Sequence, residues 1–179
     1  MEVKQKKEVV PEKRLPLQIS SYDDIFSGFD PRPFDHRALS VDFVEEAKRA
    51  TRDKGEGIEL KFFIPKEKRD LRTEKLVKKR LWEHFSRHHE KTKKEKKEII
   101  KKGLFFVATG IVLMIIATFI LFKYEKSIIT SFLTILLEPA GWFFFWEGLR
   151  EIIFESKVFT NDIEFYKKMS KCEIEFVNH

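Results

Sequence analysis

The chain has 179 residues, of which 36% are charged and 42% hydrophobic, with a formal net charge of +6 and a single cysteine. One cysteine, Cys172, excludes an intrachain disulfide framework and fits a reducing compartment. The start, MEVKQKKEVVPEKR, is charged and has no apolar core, so no N-terminal signal peptide is expected.

In chain order, residues 1–18 carry Lys, Glu and prolines with little apolar pattern and read as a flexible tail. Ser20 or Ser21 is the expected first cap, with Asp23 and Asp24 in the following turn. The stretch 21–33, SYDDIFSGFDPRP, mixes Tyr22, Ile25, Phe26 and Phe29 with acids and prolines. Its oxygen spacing is not that of a calcium loop, so it reads as a turn-rich segment docking its aromatics on a core. Ser40 opens a helix from about Val41 to Asp53, with Phe43, Val44, Ala47 and Ala50 on one face. Ile58, Leu60, Phe62 and Ile64 alternate with polar residues, which predicts a half-buried strand stopped by Pro65.

A helix follows from about Leu71, with Asp70 as its cap and a stripe of Leu76, Val77, Leu81, His84 and Phe85. His84 and His88 stand at i, i+4, a spacing that suits zinc. No HExxH motif or nearby cysteine completes a ligand set, so solvated or helix-packing histidines are the plainer reading. No metal and no cofactor is expected. Residues 86–102 read as a charged helical connector. Residues 66–102 hold sixteen Lys or Arg against seven Asp or Glu.

Gly103 to Phe122, GLFFVATGIVLMIIATFILF, contains no charge. About 20 apolar residues match a bilayer core of ~30 Å at ~1.5 Å per residue. The link 123–127 is short, and a second apolar run extends from Ile128 to about Trp146. Two spans so joined are antiparallel neighbours. Gly103, Gly110 and Ala117 recur every seven residues, as do Thr134, Gly141 and Gly148. That spacing keeps each set on one helix face and pairs Gly103 with Gly148, Gly110 with Gly141 and Ala117 with Thr134. Trp142 and Trp146 suit one membrane interface and Tyr124 the other. The basic block against the first span puts both termini in the cytoplasm of a multi-pass cell-membrane protein. The same block would be drawn to anionic lipid. Nucleic acid is not an expected partner, because interleaved aromatics and a known motif are lacking.

Glu138 lies mid-way along the second run, followed by Pro139. A carboxylate there costs at least ~2.5 kcal/mol. Its angular position, ~40° from Thr134 and ~60° from Gly141, turns it toward the seam or its flank. The expectation is an uncharged carboxyl, a hydrogen bond to Thr, Ser or Trp, or a gathering of copies at a subunit interface. Pro139 leaves two alternatives open: one kinked span, or a segment that turns back at Leu137 and restarts as a new helix at Pro139.

Beyond the hairpin, Leu149 to Phe154 continues the helix, and Thr160 or Asn161 caps a short helix bearing Ile163, Tyr166 and Met169. Cys172, Ile174 and Phe176 alternate with Glu173 and Glu175 and predict a second strand, paired with 58–64. The fold class is therefore a membrane α-helical hairpin of two transmembrane helices, with a small cytosolic α+β domain built from both flanks. Its parts are a tail (1–18), the first part of the domain (19–85), the connector (86–102), the hairpin (103–148, spans 103–122 and 128–147) and the rest of the domain (149–179). Two strands alone leave two open edges, so pairing between subunits, and hence a homo-oligomer, is expected.

Residues 21–33 followed by Arg37-Ala38-Leu39-Ser40, and the run Glu138-Pro139-Ala140-Gly141-Trp142, resemble a family of small two-span prokaryotic membrane proteins of unknown function. The resemblance covers most of the chain after the tail and implies no activity or site residue. No glycine-rich phosphate loop, Cys/His dyad or Gly-x-Ser-x-Gly motif is present. The expected function is a non-catalytic, oligomeric scaffold or accessory protein of the membrane, with the bilayer and a cytosolic or membrane protein as partners. The alternative is a small channel or proton- or cation-coupled component using Glu138, and a membrane-bound enzyme is a third reading.

Overall fold

The computed structural model describes residues 13–178. The chain is mostly helical, with a three-stranded sheet and two long apolar helices. Its elements are β1 (Arg14–Gln18), a 3-10 turn (Tyr22–Ile25), α1 (Val41–Thr51), β2 (Glu59–Ile64) and a 3-10 turn (Lys66–Lys68). There follow α2 (Leu71–Lys123), α3 (Ile128–Arg150), a π turn (Glu151–Glu155), α4 (Ser156–Met169) and β3 (Glu173–Asn178). The chain divides into two compact units, one up to His89 together with the residues from Glu164 onward, the other Glu90–Ile163.

In the first unit the strand order is β1-β2-β3 and all pairs are parallel. Period-2 alternation decides the faces. Leu15, Leu60, Phe62, Ile64 and Phe176 point inward and are buried. They meet Phe43 and Ala47 of α1, Val77, Leu81 and Phe85 of α2, and Phe165 and Met169 of α4 in one core. Phe62 stacks on Phe176 at 5.1 Å between ring centroids. On the other face, ion pairs bridge strands: Arg14 to Glu59 at 3.1 Å and Lys61 to Glu175 at 2.6 Å. Such cross-strand pairs add a few tenths of a kcal/mol each where exposed.

Two expectations are corrected here. Residues 14–18 are a strand, not part of a tail; residues 1–12 lie outside the described residues. The strand was masked by its Pro16, which an edge strand accommodates because its missing N–H costs no ladder bond. The sheet consequently has three strands, and β2, with the burial alternation of a half-covered strand, is central. Pairing between subunits is not needed to cover β2; the edges are β1 and β3.

The segment 21–33 is turn-rich as expected, with Tyr22, Ile25 and Phe26 buried. Phe29, however, is fully exposed at 101% and does not dock. The acids there serve the loop itself. Asp30 accepts from Arg32 Nη2 at 2.8 Å and from the Ala38 amide at 2.7 Å, while Arg37 donates to Asp23 at 2.6 Å. The Arg32 guanidinium beside Asp30 holds its carboxyl well below the usual carboxylate range.

Helix α2 is 53 residues long and runs without a break through the basic stretch into the apolar run. Asp70 caps it, accepting from Thr73 N at 2.9 Å and Thr73 Oγ1 at 2.6 Å. Ser127 caps α3, accepting from Thr130 N at 3.3 Å. Pro139 sits inside α3, so the helix is continuous and does not turn back at Leu137. In so apolar a run the neighbouring backbone bonds have no competing partner, and loss of one at a proline is tolerated.

The helix expected to begin at Thr160 or Asn161 is corrected as well. The chain passes from α3 through the π turn into α4 at Ser156 with no intervening cap. Thr160 Oγ1 is instead within 3.0 Å of Lys96 Nζ, which donates to it. That hydroxyl therefore has a partner without ending the helix.

Candidate functional site

The second unit is built on the facing glycines of α2 and α3. A Cβ placed on Gly110 would lie 2.6 Å from both Gly141 O and Phe145 N. On Gly148 it would lie 2.5 Å from Gly103 O, and on Gly103 2.9 Å from Gly148 O. On Gly141 it would lie 2.7 Å from Met114 Cγ. The two backbones touch at Gly103/Gly148 and at Gly110/Gly141, an approach only a residue without a side chain allows. Ala117 and Thr134, the third expected pair, are both buried. Thr134 Oγ1 returns its hydrogen bond to Thr130 O at 3.0 Å, so it brings no unpaired polar group into the seam.

Outside this narrow strip most of the large apolar side chains are exposed. Phe119, Phe132, Ile135 and Leu136 are each more than half exposed, and only 11% of each apolar window is buried. Trp142, Trp146 and Tyr124 are also more than half exposed. Both helices are long and apolar enough to cross a membrane.

Glu138, expected at the seam or its flank, is not covered by the facing helix. It is exposed on the outside of the pair, with no hydrogen bond or ion pair among the described residues. With glycine at the crossing points the contact strip is too narrow to reach a side chain ~50° from its centre, measured at ~100° per residue.

A polar arrangement that the sequence did not reveal stands at the base of the hairpin. Glu151, at the start of the π turn, is buried to 6% exposure. Its carboxylate accepts from Lys102 Nζ at 2.7 Å and lies 3.7 Å from Arg150 Nη2. Arg150 also holds Glu147 at 2.7 Å and Glu155 at 2.6 Å. One extra residue in a helical turn rotates everything after it, and such turns recur at functional positions. Ser156 Oγ donates to Ile152 O at 2.5 Å and closes the turn. The spacing Glu147, Glu151, Glu155 around Arg150 was the one available signal.

In the first unit, His84 and His88 do come together, but as stacked rings, 4.0 Å between centroids. His88 packs on Tyr166 at 5.3 Å and its Nδ1 lies 3.0 Å from His84 O. Burial, with the neighbouring His88, Arg80 and Arg87 charges, lowers His84 to about 4. Among the described residues no group of three or more His, Cys, Asp or Glu is placed to hold a metal. A second buried acid, Glu74, is met by Arg69 Nε at 2.8 Å and by the Tyr22 hydroxyl at 3.4 Å. Cys172 is half-buried, and burial pushes its thiol up to about 11.

Compared with protein-family models, with curated proteins and with solved structures, the chain matches none.

Proposed function

We propose that this is a non-catalytic integral membrane protein, a two-helix hairpin with a cytoplasmic α+β unit, that acts as an oligomeric scaffold or accessory protein. The observation that carries the reading is the combination on one helix pair. Its backbones are in contact along glycines, while most of its large apolar side chains are exposed and none of them is buried. A soluble helical hairpin buries its apolar residues; one that seals only its backbones and exposes Phe, Ile and Leu needs an apolar solvent. The basic block before Gly103 favours cytoplasmic termini, by the excess of Lys and Arg on that side. Glu138 supports assembly: a carboxyl left in lipid costs at least ~2.5 kcal/mol, which a second copy covering that face would offset.

The test is extraction. Membranes from expressing cells are washed with alkaline carbonate, and the retained protein is taken into mild detergent for native mass spectrometry. Retention with a defined oligomer is expected. Release by carbonate would end the membrane reading, and a strict monomer would end the oligomeric one.

A second reading has its own observation, the exposed and unpartnered Glu138 within an apolar helix. It is a proton- or cation-coupled component in which Glu138 carries the ion. Glu138→Gln separates the two in a vesicle flux assay. A conducting protein loses its flux, whereas a scaffold shows none to lose and keeps its assembly.

A further inference from the structure

The lysines ahead of the apolar run are not equivalent. Residues 90–102 hold seven lysines and three glutamates. Four of the lysines have partners within the chain: Lys91 with Glu95 at 3.8 Å, Lys96 with Thr160 at 3.0 Å, Lys101 with Glu98 at 3.1 Å and Lys102 with Glu151 at 2.7 Å. Lys93, Lys94 and Lys97 are exposed and make no hydrogen bond or ion pair among the described residues. At ~100° per residue, Lys93, Lys94, Lys97 and Lys101 fall within one arc of about 100°. Buried Thr92 and the Thr160-bound Lys96 mark a different face, the one turned to α4. Glu90 falls on the same arc, about one turn beyond Lys93 and Lys94 on the side away from the apolar run, and Glu98, just past the arc's edge, is already bonded to Lys101.

We propose that this arc of α2 is a docking face for the anionic phosphodiester headgroups of a membrane leaflet. The inference rests on the hairpin reading and adds to it which residues meet lipid and which lipid class they select. At ~1.5 Å per residue, Lys101 is ~3 Å and Lys97 ~9 Å before Gly103, where the apolar run begins. The headgroup layer is ~5–8 Å deep on each side of a ~30 Å core, so Lys101 lies within it and Lys97 at its outer boundary, within reach of its flexible stem. Lys93 and Lys94 are ~14–15 Å out, and their flexible stems bring the charge back to within a Debye length of ~8–10 Å. The partner's chemistry follows from what the face lacks. It has no arginine for bidentate base or phosphate readout and no aromatic ring for base stacking between 90 and 102. Flexible point charges at headgroup depth fit mobile anionic lipids.

The experiment uses the full chain reconstituted in bilayers of phosphatidylcholine with phosphatidylglycerol, with spin-labelled probes of each lipid. Electron paramagnetic resonance reads the fraction of each probe slowed at the protein. The expected result is preference for the phosphatidylglycerol probe. The triple variant K93Q/K94Q/K97Q should lose it, by up to about fivefold per lysine, and high salt should weaken it. K91Q, which removes a lysine already paired to Glu95, should keep it. Equal retention of the two probes by the carbonate-resistant chain, or undiminished preference in the triple variant, overturns the docking face while leaving the hairpin standing. A chain that carbonate releases overturns both. Tight binding of RNA by the arc without lipid preference overturns it in favour of a nucleic-acid partner.

Discussion

The Lys102 ammonium lies 2.7 Å from the Glu151 carboxylate, joining the last basic residue before the apolar run to the first residue of the π turn. Lys102 is more than half exposed, while the Glu151 side chain is almost wholly covered. Removing the lysine leaves a covered carboxylate with Arg150 alone at 3.7 Å. Lys102→Met should therefore cost about 1–2 kcal/mol, less than a fully buried pair because solvent already reaches one partner. Double substitution with Glu151→Leu should recover most of that loss. Thermal unfolding in detergent of the two single variants and the pair, read as a cycle, checks this.

Gly110→Leu should separate α2 from α3. Even its Cβ would stand 2.6 Å from Gly141 O, a backbone atom that has nowhere to move. The expected cost is about 1–3 kcal/mol or a shifted helix pairing. Ile115→Leu, on the outer face, serves as the control and should change little. Cysteine pairs introduced across the seam would report the register directly, by the rate at which they cross-link.

The hairpin was legible because its signals are long and periodic: an uncharged run of twenty residues and small residues every seven. The strand from Ile58 and the strand through Phe176 were legible by alternation. Strand β1 was not, since five residues with a proline and two inward leucines, Leu15 and Leu17, look like tail until β2 is set beside them. The π turn has no propensity of its own, and Thr160-Asn161 imitated a helix start. The exposure of Glu138 was not legible, for a quantitative reason. An angle read from the sequence says which way a side chain leans, but the width of the contact depends on how closely the backbones come.

Stability should fall as the medium is acidified through the range set by His84. The folded form holds this imidazole at about 4, against an ordinary value of 6.5. Between those values the unfolded chain binds the proton and the folded one does not, so protonation favours unfolding. The contribution is fully present above about 6.5 and is lost progressively as pH drops toward 4. His84→Gln should flatten this part of the pH–stability profile of the first unit. Chemical unfolding followed by near-ultraviolet circular dichroism at several pH values tests it, and an unchanged slope in the variant would refute the assignment.

Cys172 should react slowly with thiol reagents in the folded protein. Burial raises the thiol to about 11, so little thiolate exists near neutral pH. Iodoacetamide labelling should be at least about tenfold faster in denaturant than in native conditions. Equal rates would show that β3 opens freely, since Cys172 directly precedes that strand.

Strand β3 has a consequence for how the molecule is made. It pairs with β2 over Glu59–Ile64, and its Phe176 completes the stack on Phe62. More than a hundred residues of chain, including both long helices, emerge from the ribosome between the two strands. Throughout that interval β2 has one edge bare and the ring of Phe62 uncovered on one side, while the apolar runs of α2 and α3 are already made. The earliest part of the first unit thus waits for the latest, and a nascent chain stalled before Glu173 would present an adhesive strand edge to whatever stands nearby.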